Sequence, residues 1–118
     1  MRYDKNNIFA KILRNEIPCK KIYENDHVLA FHDINPQKKV HVIIIPKGEY
    51  IDLDDFNNKG SEKEIVELNK AITYVSSLVG AKDKGYRALT NIGNNGGQEI
   101  PHLHFHIFAG EKIGKMVS

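Results

Sequence analysis

Between Pro101 and Phe108 the chain alternates imidazole with apolar side chains, His102, His104 and His106 against Leu103, Phe105 and Ile107. Successive side chains of a strand point to opposite faces, so this period of two predicts a strand that buries the apolar row and presents three imidazoles. At the other end of the chain the period is helical. Ile8, Phe9, Ile12, Leu13 and Ile17 recur at that spacing behind Asn6-Asn7, either of which can cap, and Pro18 closes the segment. Lys20 to Asn25 and Val28 to Ile34 read as two short strands around an Asn25-Asp26 turn. His41 to Ile45 is β-branched, ends at Pro46, and suits a central strand buried on both faces. Asp52 to Gly60 reads as an acidic, turn-rich connection. After it Ser61-x-x-Glu64 offers a capping box to a helix whose buried stripe is Ile65, Leu68, Ile72, Val75 and Val79, with Gly80 placed to end it. Gly85 to Asn91 then predicts a further strand, followed by the glycine-rich loop Gly93 to Gln98. Strands grouped around one long helix and one short N-terminal helix predict an α+β fold, an antiparallel sheet with helices on one side.

At 118 residues this is one domain over 1–118, with no internal repeat or linker. Seventeen basic residues against fifteen acidic are scattered, without the basic stripe that tracks a nucleic-acid backbone, so no nucleic-acid partner is expected. The aliphatic run Val42 to Ile45 falls far short of the ~20 residues of a membrane span, and the polar N-terminus leads into no signal-type core. A single cysteine, Cys19, excludes an intrachain disulfide and fits a reducing compartment, so a cytoplasmic location and no membrane partner are expected.

Three imidazoles on one face suit either metal ligation or nucleophilic and proton-transfer chemistry near neutral pH. Residues two apart on a strand lie ~6.6 Å apart, whereas nitrogen ligands of one zinc ion lie ~3.3 Å apart. That spacing favours the second chemistry, although long side chains can converge. Backbone amides of the glycine-rich loop could line an anion pocket beside the imidazoles, which points to a phosphorus centre.

The run His102-Leu-His104-Phe-His106-Ile-Phe resembles the signature of the histidine triad superfamily of nucleotide hydrolases and transferases. Ile8 to Ile12, Ala30 to Gln37, His41 to Lys47, Asn91 to Gly93 and Gly96 to Gln98 resemble its Hint branch, the purine nucleoside phosphoramidases. The resemblance implies a five-stranded antiparallel sheet and hydrolysis of the P–N bond of nucleoside phosphoramidates through a nucleotidyl-histidine. It implies His104 as nucleophile, His106 at the phosphate, and His102 with His41 as the pair behind the nucleophile. Asp33, next to Ile34, matches the acceptor of the ribose hydroxyls. Ile8, Phe9, Ile12 and Phe31 match the apolar pocket of the purine, and Asn91, Gly97 and Gln98 match positions near the phosphate and leaving group. Glu99 stands where some relatives carry serine; its amide could meet the phosphate, whereas its carboxylate would repel it and suits a cationic leaving amine. The resemblance further implies a homodimer and no metal or other cofactor. Dinucleoside polyphosphate hydrolysis on the same triad and a non-catalytic nucleotide-binding module remain the alternatives.

Overall fold

Val28 to Phe31 and Val42 to Ile45 are apolar at successive rather than alternate positions, and strands without a polar face need cover on both sides. The computed structural model, which describes residues 2–117, contains β1 (Lys20–Glu24), β2 (Val28–His32), β3 (Val40–Pro46), β4 (Arg87–Leu89) and β5 (Phe105–Ala109). They form one sheet in the order β1-β2-β3-β5-β4, with all four pairings antiparallel. Three helices accompany it, α1 (Ile8–Leu13), α2 (Leu53–Lys59) and α3 (Glu62–Leu78). Val28, Ala30, Val42 and Ile44 pack on one face against Phe56 of α2 and Leu68, Ala71 and Val75 of α3. Leu29, Phe31, Ile43 and Ile45 pack on the other against Phe9 and Ile12 of α1. Helices therefore cover both faces, not one as expected from the sequence. Each fully buried Ile, Leu, Val or Phe contributes roughly 1.5–3 kcal/mol, so β2 and β3 anchor both layers.

Several boundaries differ from the sequence reading, each for a local reason. α1 is capped by the Asn7 side chain on the Ala10 amide but ends at Leu13, because Asn15 adopts φ +62°. Ile17 therefore lies outside the helix and packs against the same apolar cluster from the following turn. The supposed turn-rich connection contains α2, whose cap is the Asp52 side chain on the Asp55 amide and whose one buried residue is Phe56. The Ser61–Glu64 capping box forms as expected, and Gly80 ends the α3 segment with φ +73°.

The predicted strand Gly85–Asn91 shrinks to three residues, and the histidine strand starts only at Phe105. Ahead of Phe105 the Leu103 amide turns away from the ladder to donate to the Tyr50 carbonyl at 2.8 Å. His102 and His104 thus precede the strand and only His106 belongs to it. The alternation still holds on the apolar side, since Leu103 and Ile107 are buried in the α3-side core with Phe105 packed against it.

Candidate active site

The imidazoles lie on the α1 side of the sheet, and their neighbours fix where each proton sits. His104 Nδ1 is 2.7 Å from the His102 carbonyl oxygen, which can only accept, so Nδ1 carries the proton and Nε2 keeps a free lone pair. The Thr90 hydroxyl donates to the His104 carbonyl at 2.7 Å, and Phe9 meets the imidazole edge to face at a centroid distance of 4.9 Å. A second chain of bonds runs through β3. The Gln37 amide donates to His41 Nδ1 at 3.2 Å, which puts the His41 proton on Nε2. His41 Nε2 then donates to His106 Nδ1 at 2.9 Å, so His106 carries its proton on Nε2. Neutral imidazoles thus leave one lone pair, on His104, beside one N–H, on His106, their ring centroids 5.0 Å apart. Phe108 stacks on His106 with 4° between the ring planes, and Asp33 Oδ2 stands 3.5 Å from His41 Nε2.

His102 is fully buried rather than presented to a ligand. Its Nε2 donates to the Pro46 carbonyl at 2.9 Å, and its Nδ1 accepts from the Tyr3 hydroxyl at 2.6 Å. His102 and His41 are therefore not the side-chain pair behind His104 that the resemblance implied. His102 acts on His104 through its main-chain carbonyl, while His41 is bonded to His106.

Burial disfavours the charged form of all four imidazoles. It pushes His102 down to about 4 against the opposing pull of the Pro46 carbonyl. It takes His106 to about 4 as well, reinforced by His104 and His41 and opposed by Asp33. His104 and His41 are also held below the ordinary imidazole value by burial, with Asp33 pulling each the other way and Glu99 doing so for His104. All four are neutral at pH 7.

A cavity of about 170 Å³ opens onto this group. Of the residues expected at a site, it brings together His41, His104 and His106 with Asp33, Phe9, Asn91, Gly97 and Glu99. Gln37, Ile43 and Ile100 complete the lining. Ile12 and Phe31 lie with Phe9 and Ile43 in the apolar cluster beneath α1, whereas Ile8 and Ile34 lie outside it and are 38% and 76% exposed. Gln98 does not face the cavity lining as expected. Its side chain accepts from the Gly93 amide and donates to the Ile51 and Ile100 carbonyls, so it holds the loop together. The Gly97 and Gln98 amides are also taken within the loop, by Asn94 and Gly93, and with Gly93 that removes three of the amides expected to line an anion pocket.

Two of the larger cavities invite comparison. One of about 700 Å³ is lined by Ile12, Ile17, Leu29, Cys19 and the charged rim Lys21, Glu24 and Lys47. It holds no imidazole, and its one nucleophile, the Cys19 thiol, is pushed up by burial. Another of about 570 Å³ adjoins the triad cavity through Asp33 and His41 and is lined by Lys20, His32 and Lys39. Neither is lined by His104 or His106, so the smallest of the three is the candidate site. Among the described residues no three His, Cys, Asp or Glu side chains are grouped to hold a metal ion.

Tyr3, Thr90 and Gln37 are the site-building residues that sequence reasoning left unassigned. Gln37 falls inside the block Ala30 to Gln37 and had a signal; Tyr3, 99 positions from its partner, had none.

The HIT domain family model matches residues 14–113. A HIT-like protein of Azospirillum brasilense is 53% identical over 116 residues, 98% of this chain and 95% of its own. The purine nucleoside phosphoramidase of Escherichia coli K12 is 38% identical over 114 residues, 94% of this chain and 92% of its own. Among solved structures, a HIT family hydrolase from Clostridium thermocellum aligns with TM-score 0.88 at 36% identity, covering 98% of this chain and 99% of its own. A histidine triad protein from Clostridium difficile aligns with TM-score 0.84 at 38% identity over 97% and 98% of the two chains.

Proposed function

Since the chain belongs to the HIT domain family, we propose that it is a nucleotide hydrolase, and specifically a purine nucleoside phosphoramidase. The observation that carries this reading is the His104 tautomer. Its Nδ1 is committed to the His102 carbonyl, which leaves the lone pair on Nε2, and His104 lines a cavity together with His106. A phosphoramidase named in Escherichia coli K12, 38% identical, supports the P–N specificity.

In this reading His104 Nε2 attacks the phosphorus of a nucleoside 5′-phosphoramidate and forms a P–N bond to the imidazole while the bond to the leaving amine breaks. The positive charge that develops on the ring is held by the Nδ1–H bond to the His102 carbonyl. The anionic phosphate offsets the burial that keeps the bonded His41–His106 pair neutral, so the pair takes up one proton as substrate binds, His41 Nδ1 exchanging the Gln37 amide for it. His106 hands its Nε2 proton to the leaving nitrogen while the His41 Nε2 proton passes to His106 Nδ1, and the pair returns to neutral. His106 Nε2 next takes a proton from water, whose oxygen attacks phosphorus and displaces His104 with its electron pair, and the pair releases that proton to solvent with the product. Water and phosphoramidate thus give nucleoside monophosphate and amine. Asp33 accepts the ribose hydroxyls, and Phe9, Ile12 and Phe31 supply the apolar side of the purine pocket. Asn91 and Gly97 line the phosphate end.

Two further parts of the reading are cytoplasmic residence and a homodimer. Val66, Tyr74 and Leu78 of α3 and Met116 and Val117 of the tail are exposed apolar side chains available to a second copy. Sedimentation at twice 13.4 kDa is the expected result, and a monomer at micromolar concentration would remove that part alone.

The decisive experiment incubates the protein with adenosine 5′-phosphoramidate, quenches it in the steady state and locates the adduct by mass spectrometry. A nucleotide on His104, with turnover abolished in His104→Ala, is expected. Turnover that survives His104→Ala, or an adduct elsewhere, overturns the reading.

A further inference from the structure

The triad cavity is to receive an anion, yet among the described residues no lysine or arginine lines it. Its acidic side chains are Asp33 and Glu99, around imidazoles that are neutral at pH 7. This is not a property of the whole surface, since the chain carries seventeen basic residues and a net charge of +2. Basic side chains line the neighbouring cavities, Lys20 and Lys39 in one and Lys21 and Lys47 in another. Of these three cavities, the triad cavity alone has no basic side chain in its lining.

Glu99 is one of the residues that line that cavity. It is exposed, lies next to the loop whose Gly97 lines the cavity, and sits with His104 and His106 in the same lining. Among the described residues its carboxylate has no hydrogen-bond or ion-pair partner, unlike Glu24, Glu16, Glu64 and Asp55. Asp33 stands beside His41, where the ribose reading already uses it. Resting on the phosphoramidase reading, we propose that Glu99 is a specificity-determining residue that selects a leaving group which is cationic or neutral and rejects an anionic one.

The physical reason is the absence of a counter-charge. A substrate phosphate with one negative charge is met by hydrogen-bond donors and by the proton taken up on the His41–His106 pair. A leaving group with its own phosphates brings further anions toward Glu99 with no cation to receive them, and like-charge juxtaposition is unfavourable. An alkylammonium or lysine-like leaving amine brings the opposite charge.

The test uses three adenosine phosphoramidates with the same alkyl chain, ended in an ammonium, a hydroxyl or a carboxylate, and the full chain as wild type, Glu99→Gln and Glu99→Lys. For the wild type, kcat/KM is expected to follow ammonium above hydroxyl above carboxylate, each step about threefold to tenfold, as for exposed or half-exposed charge pairs. The order should flatten in Glu99→Gln, reverse in Glu99→Lys, and shrink with added salt. Normalising to the hydroxyl substrate removes any general loss of activity. Equal wild-type rates for all three, or an order that persists in both variants, overturns the proposal while leaving the phosphoramidase reading standing. Failure to cleave any of the three overturns both.

Discussion

Replacing Tyr3 with phenylalanine keeps the ring that packs edge-on against His102, 5.6 Å between centroids, and removes the hydroxyl that donates to His102 Nδ1. His102 is fully buried, so the orphaned nitrogen has no route to solvent. An unsatisfied buried polar group costs about 1–3 kcal/mol, and Tyr3→Phe is expected to lose that much in urea-induced unfolding. The change should also reach His104, because the same residue whose ring Tyr3 holds supplies the carbonyl that fixes the His104 tautomer. The ¹⁵N shifts of the His104 ring report this directly. Unchanged stability together with unchanged shifts would mean that Tyr3 merely rests on the triad. The example also shows what the sequence leaves unread at this scale. The alternation of His102, His104 and His106 announces three imidazoles, but the acceptors that divide their roles are main-chain atoms of Pro46 and His102 and the amide of Gln37. Every residue has a main chain, so residue types carry no trace of such partners.

At the scale of elements, the loop between β4 and β5 connects local geometry to the cavity. A Cβ on Gly96 would lie 2.3 Å from the Ile92 carbonyl oxygen and 2.9 Å from its amide nitrogen. Those are backbone atoms that no rotamer change can move, so Gly96→Ala has to shift the whole turn, and with it Gly97, Glu99 and Asn91 in the cavity lining. Overpacking of this kind costs roughly 1–3 kcal/mol. Since the strands on either side are held by the core, the shift should appear mainly in the site. Gly96→Ala is expected to weaken AMP binding at least about tenfold, which is 1.4 kcal/mol, while Tm falls by a few degrees. AMP affinity equal to wild type in calorimetry would show that the loop does not shape the cavity. The glycine run predicts an anion-binding loop, whereas the structure assigns Gly93 and Gly97 to left-handed turn positions, φ +68° and +80°. The capping box of α3 was legible because Ser61 and Glu64 are neighbours in sequence. α2 was not, because seven residues with one buried side chain show no period. The start of β5 depends on the Tyr50 carbonyl, which only the folded chain brings to Leu103.

Across the whole molecule, the sheet is covered on both faces, and the layer on the α1 side has imidazoles built into it. His41 and His102 are as buried as core aliphatics, and His104 nearly so. The conditions that make His104 a neutral nucleophile therefore also make the fold sensitive to acid. In the unfolded chain an imidazole titrates near 6.5, whereas burial holds His102 and His106 at about 4 in the native state. Between those values the unfolded chain binds protons that the native chain does not, so stability falls as pH falls through this window and the loss is complete near pH 4. For His102 alone the difference amounts to on the order of 3 kcal/mol at 1.36 kcal/mol per pH unit; His106 adds to it, coupled to His41 and His104. The carboxylates act lower down, because Glu24, held at about 2 by Lys21 and Lys47, gives up its contribution as pH falls from the ordinary carboxylate value to about 2. Urea midpoints taken at half-unit steps should thus be flat from pH 8 to 7, decline steadily between about 6.5 and 4, and decline again below. The ring-proton shift of His102 in the native protein should stay constant until the pH is below about 5. A flat midpoint from pH 7 to 4.5, or a His102 resonance that titrates near 6.5, would show that water reaches these imidazoles and that the protein does not hold His104 neutral by burial.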